Sequence, residues 1–148
     1  MGLDLRLKGD RIPDKNHISR FCRPRQVDEK GQILATAFTL RAGEESLSVN
    51  WLEFLGLLSR EEEIAELRRI YSAKLSVGAG AKIAVLNIGE VCNKVIAESP
   101  DSRNLEALHD PLENDPSHSG IYNLRNDDEL MITELILETV LETYPARK

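Results

Sequence analysis

The residues best able to do chemistry lie in one polar segment, His109-Asp110-Pro111-Leu112-Glu113-Asn114-Asp115-Pro116-Ser117-His118-Ser119-Gly120. Imidazole titrates near neutrality, so His118, between Ser117 and Ser119, is a candidate proton carrier, and His109 is a second. Arg20, Arg23 or Arg25 offers a cation to hold a phosphate or carboxylate. Arg20, His109 and His118 are therefore the catalytic candidates, and phosphodiester or nucleotide chemistry is the reaction class that two imidazoles and a guanidinium suit. The same segment also reads as a metal loop, with His109, Asp110, Asp115 and His118 offering nitrogen and oxygen to zinc or another divalent transition metal. That spacing matches no standard metal signature and lacks an identifiable further strong ligand, so no cofactor is expected. The competing structural reading is turn chemistry, in which Asp-Pro and Asn-Asp-Pro fold the loop and aspartate side chains bond their own backbone.

The binding candidates are Arg20, Ser48, Asn50, Trp51, Glu53, Asp115, Ser117, His118 and Ser119. Arg20, Ser48, Asn50 and Glu53 fall on strand-like segments, and an Arg, a Ser and a Glu on neighbouring strands can hold a dinucleotide, an arrangement similar to that of ADP-ribosyltransferase-like proteins. The structural alternative is a solvated strand face. No G-x-S-x-G elbow is present for an acyl-transfer serine. Gly78-Ala79-Gly80-Ala81-Lys82 follows a helix and precedes a strand, the reverse of a phosphate loop, and reads as a helix end and turn.

The elements that must position these residues follow from periodicity. Leu3, Leu5 and Leu7 alternate with charged residues as in a short strand, and residues 17–22 form a half-apolar piece. Residues 33–40 and 46–54 read as two strands of a hairpin joined through Arg41-Ala42-Gly43-Glu44-Glu45. Ser59-Arg60-Glu61-Glu62 is a capping box that opens a helix with Ile64, Leu67, Ile70, Tyr71 and Leu75 on one stripe. Residues 82–88 are short, apolar and β-branched, as a buried strand is. Val91, Val95 and Ile96 have helical spacing. Residues 105–108 and 120–124 read as strands flanking the polar loop. A last helix is expected from Asn126 or Asp127 to Tyr144, its wide apolar face running from Leu130 through Val140 and Leu141, with Pro145 after it. The expected fold is α+β: a single domain over 1–148, with a small antiparallel or mixed sheet packed by two or three helices, mainly on one face, and a C-terminal amphipathic helix.

Charge is unevenly placed along the chain. The net charge is −6, yet residues 1–30 carry eight Lys/Arg and five Asp/Glu, and residues 98–148 carry four against twelve. The basic segment (Arg11, Lys15, Arg20, Arg23, Arg25) suggests phosphate contacts, whereas the overall charge disfavours a nucleic-acid-binding module. Two cysteines, Cys22 and Cys92, sit among apolar neighbours and read as free buried thiols. Charges in the first residues replace the apolar core of a signal peptide, Arg6 stands where a myristoylation site wants Ser or Thr, and no run approaches a bilayer span; a cytoplasmic protein without a membrane partner is expected.

Three segments together (Ile18-Ser19-Arg20-Phe21 with Pro24, Leu47 to Glu53, and His109-Asp110-Pro111 with Asp115 to Ile121) resemble a pattern in small uncharacterised bacterial proteins. The resemblance covers residues 17–122. It implies a bacterial source and convergence of the three segments on one surface, and it brings no activity. The leading expectation is accordingly an accessory or interaction protein with a protein partner or a second copy of itself, the wide apolar face of the last helix allowing self-association. The rival is a small enzyme acting on a phosphodiester or nucleotide through His109 and His118 with Arg20.

Overall fold

The computed structural model describes residues 9–128 and 130–147. The expected strand at residues 3–7 lies outside them. Six strands, β1 (His17–Cys22), β2 (Leu47–Trp51), β3 (Lys82–Asn87), β4 (Glu106–His109), β5 (His118–Tyr122) and β6 (Val140–Pro145), form one antiparallel sheet in the order β4-β5-β2-β1-β3-β6. Three helices complete the α+β fold: α1 (Arg60–Lys74), α2 (Ile88–Glu98) and α3 (Leu130–Leu137). None of the described helices is long and apolar enough to cross a membrane.

Strand alternation sorts side chains into two cores. On one face Ile18, Cys22, Leu47, Val49, Trp51, Ala84 and Leu86 pack with Val91 and Val95 of α2 and Ile132, Leu135 and Ile136 of α3. On the other, Leu52, Ile83 and Val85 lie beneath Ile64, Leu67, Ile70 and Tyr71 of α1. Two helices thus cover one face and α1 covers the other. Ser59 caps α1 by accepting from the Glu62 amide at 3.1 Å. Asn87 does the same for α2, accepting from the Glu90 amide at 2.9 Å. Cys22 and Cys92 are both free thiols, and burial pushes each up to about 11.

Two expected elements differ. Residues 33–40 do not form a hairpin strand: Ala35–Phe38 is a single 3-10 turn whose Ala37 and Phe38 are buried, and it packs against α3. β2 pairs instead with β1 and β5. The last helix stops at Leu137, where the Thr139 hydroxyl and amide both donate to the Ile136 carbonyl (2.7 and 2.9 Å), and the chain re-enters the sheet as β6 beside β3. Val140-Leu141-Glu142-Thr143-Tyr144 alternates between half-buried and exposed, as an edge strand does. The amphipathic helix expected through Tyr144 is therefore a short helix followed by a strand.

Candidate functional site

Pairing between β1 and β2 is confined to Ile18↔Trp51 and Ser19↔Asn50. Beyond those pairs the strands part, and a cavity of about 500 Å³ opens there, walled by the end of α1, the segment around Thr36 to Glu44 and the β4–β5 connection. Its lining carries five cationic side chains (Arg20, Arg23, Arg25, Arg41 and Lys74) and one carboxylate, Glu44. Ser48, Asn50, Tyr71 and His118 also face it. The basic N-terminal segment therefore divides: Arg20, Arg23 and Arg25 line the cavity, while Arg11 lies near Asp14 at 3.8 Å on an exposed surface.

Arg20 is fixed in the gap between the parted strands. Its Nε donates to the Ala37 carbonyl at 2.8 Å and its Nη1 to the Ser48 carbonyl at 2.9 Å. Burial pushes this guanidinium below the ordinary arginine value; Arg41 adds to the effect, and Cys22, Tyr71 and Glu44 oppose it. Both anchors are neutral carbonyls, so the cation is positioned without being neutralised.

Behind the cavity lies a buried polar network. Asp115 is fully buried and accepts from Asn50 Nδ2 (2.8 and 3.0 Å), the Ser117 hydroxyl (3.2 Å) and Lys74 Nζ (2.7 Å). Asn50 Oδ1 accepts from the Tyr71 hydroxyl at 3.0 Å, and the Tyr71 oxygen is 3.1 Å from Ser19 Oγ. Burial raises the Tyr71 phenol, with Asp115 adding to the rise and Ser19 and Arg20 opposing it. Tyr71 therefore stays a donor. The loop is held partly by backbone bonds, as turn chemistry predicts, with Leu112 and Asp115 exchanging two at 3.1 Å. The Asp115 carboxylate departs from that reading, because it bonds side chains brought from β2 and α1.

His118 stands opposite Asn50 in the β2–β5 ladder and shares its face. Its Nδ1 is 2.9 Å from the Asp110 carbonyl and its Nε2 is 3.2 Å from Ser48 Oγ. The Asp110 carboxylate lies 3.8 Å from Nδ1. Gly120 is opposite Ser48; a Cβ there would meet Ser46 Oγ, so the ladder has no room for a side chain at this point.

The other candidates separate from this group. His109 pairs with Ser119, the neighbour of His118, and so points to the opposite face. It is fully buried, edge-on to Trp51 at 5.3 Å between ring centres and 4.8 Å from Phe54, with Nε2 at 2.8 Å from the Pro116 carbonyl. The two imidazoles expected to act together are thus divided by the sheet. Trp51 is buried beside His109 and donates to Asn16 Oδ1 at 2.9 Å. Ser119 is buried and donates to the Ser117 carbonyl. Glu53 accepts from the His17 amide and sits 2.7 Å from its Nδ1, at the far end of β2, so the Arg–Ser–Glu grouping does not assemble. The proposed metal set also fails to gather, since His109 and His118 are on different faces and Asp115 is held by Lys74. Among the described residues no group of three or more His, Cys, Asp or Glu is placed to hold a metal.

Sequence reasoning missed Lys74, Tyr71, Ser19 and Arg41. Tyr71 read as one more apolar residue of the α1 stripe, and Lys74 was not singled out. Nothing local in sequence links either to Asp115. Comparison of the chain with protein-family models, with curated proteins and with solved structures gives no match.

Proposed function

We propose that the cavity binds a small phosphorylated molecule of about nucleotide size. The observation that carries this reading is Arg20: a half-buried guanidinium held by two backbone carbonyls, with no carboxylate among the described residues in salt-bridge contact, facing a cavity in which cations outnumber carboxylates. A partly desolvated charge of this kind gains from a ligand that supplies an anion, and guanidinium groups match phosphate oxygens in geometry as well as charge. A volume of about 500 Å³ suits a small molecule. Phe21 and Leu75 add apolar surface to the lining, against which a ring can lie.

The test is calorimetric titration with adenosine monophosphate and with inorganic pyrophosphate at two salt concentrations. Binding is expected, weaker at high salt. It should be reduced at least tenfold by the double variant Arg23→Ala, Arg25→Ala, whose side chains line the cavity. Absence of binding to either probe at low salt overturns the reading.

The interaction-protein reading stands second, supported by β6. It is the last strand of the sheet, and it carries Leu141, 46% exposed. Such an edge can add a strand from a partner protein or a second copy. A bacterial source and a cytoplasmic location fit either reading.

A further inference from the structure

We infer that Ser48 is a nucleophile activated by His118, and that the cavity cleaves phosphodiesters through a covalent phosphoseryl intermediate. The inference rests on the phosphate-binding reading and adds a reaction to it.

The hydrogen bonding of His118 decides its role. A carbonyl can only accept, so the 2.9 Å contact between Nδ1 and the Asp110 carbonyl places the ring proton on Nδ1. Nε2 is then left with a lone pair, and 3.2 Å away it meets Ser48 Oγ. The hydroxyl therefore donates to the imidazole, the arrangement in which a weak nucleophile is activated by a neighbouring base. A third group orients the base: the Asp110 carbonyl holds Nδ1, with the Asp110 carboxylate 3.8 Å from the same nitrogen. Ser48 is an exposed residue on the cavity wall, so its oxygen can be reached by a ligand. Arg20 is bonded to the carbonyl of Ser48 itself, which fixes a guanidinium beside the nucleophile.

The surroundings select phosphorus over an acyl carbon. An acyl intermediate concentrates charge on one oxygen and calls for a small hole of aligned donors. Phosphoryl transfer spreads charge over several oxygens and is served by positioned cations. Arg20 is such a cation at Ser48, and Arg41 and Lys74, paired with Glu44 and Asp115, share the cavity lining.

In the first step Ser48 Oγ bonds to phosphorus, the P–O bond to the leaving alcohol breaks, the serine proton passes to His118 Nε2, and the departing alkoxide takes a proton from solvent. In the second, water attacks phosphorus and loses a proton to solvent, the Oγ–P bond breaks, and His118 returns its proton to Ser48. The sum is a diester and water giving a monoester and an alcohol.

The experiment uses bis(4-nitrophenyl) phosphate with the whole chain, following 4-nitrophenolate release and acid-quenched intact and peptide masses. The expected result is a burst approaching one nitrophenolate per chain, with an aryl phosphoryl adduct on the peptide containing Ser48. Ser48→Ala should abolish both. His118→Ala should slow the burst about 100-fold or more. The same samples are titrated with pyrophosphate. Retained pyrophosphate binding in Ser48→Ala with loss of the burst supports the inference. Wild-type protein that binds pyrophosphate but shows neither burst nor adduct overturns the inference and leaves the binding reading intact. Protein that does neither overturns both. An adduct elsewhere than Ser48 overturns the assignment of the nucleophile.

Discussion

The two histidines that flank the β4–β5 connection have opposite surroundings. His109 is enclosed by Trp51 and Phe54 with no access to solvent, and His118 stands at the wall of a cationic cavity within reach of a serine hydroxyl. They are close in sequence and belong to adjacent strands. What divides them is parity: the ladder sets His109 against Ser119, so His118 must point the other way. A polar residue's chemistry here depends on which side of the sheet its strand position selects, more than on the company it keeps in sequence.

The comparison can be broken most directly at Asp115, which ties the loop to β2 and α1. Asp115→Ala removes the acceptor for Asn50, Ser117 and Lys74 and leaves buried donors unmatched. A loss of about 3–5 kcal/mol in denaturant unfolding is expected, enough to disturb both faces. A loss below about 1 kcal/mol would show that the network contributes little to the fold.

His109→Ala comes next. It opens a void between two aromatic rings, and a destabilisation of about 3 kcal/mol is expected at unchanged denaturant slope. His118→Ala, measured in the same way, should cost less, about 1 kcal/mol, because the ring lines a cavity instead of the aromatic core and forfeits chiefly its two hydrogen bonds. Equal losses for the two variants would erase the distinction between the faces.

The smallest effect is expected in a control away from both histidines. Arg103 bridges Asp101 and Asp128, with Nη2 at 2.8 Å from each. Burial acts to raise the Asp128 carboxyl, but the hydrogen bond from Arg103 and the Arg125 amide outweigh it and hold it below the ordinary carboxylate value. A carboxylate depressed in the folded state adds stability that is present above its unfolded value and is lost as pH falls through the folded one. Asp128→Asn should therefore flatten the fall in melting temperature on acidification, while leaving phosphate binding unchanged.

Much of the fold was legible because periodicity and caps act locally. Ser59 and the Ile64–Tyr71 stripe marked α1, and the alternation of Leu47, Val49 and Trp51 marked β2 with its core face. The errors arose where local signals are degenerate. Leu130 to Tyr144 is apolar enough for a helix, but its β-branched end pairs with β3 once the sheet exists. Ile33 to Leu40 has strand composition, yet Ala37 and Phe38 are needed as a plug against α3. At the site, Arg20, Ser48 and His118 were identifiable from residue type. Their association, and the exclusion of His109 and Glu53, depended on register, which a single sequence does not carry. Lys74 and Asp115 meet only because the end of α1 lies against the face that carries Ser19 and Asn50.

The strand order has a consequence for how the cavity comes into being. Of the sheet's neighbours only β4 and β5 are consecutive and closely spaced in the chain; β2 joins β5, and β1 joins β3, across long stretches of sequence. Contacts of that kind close large loops and form slowly. Arg20, Ser48, Lys74 and His118 each arrive on a different one of these distant pieces, so no short fragment of the chain contains the cavity. Its recovery after dilution from denaturant should report the assembly of all the elements between β1 and β5.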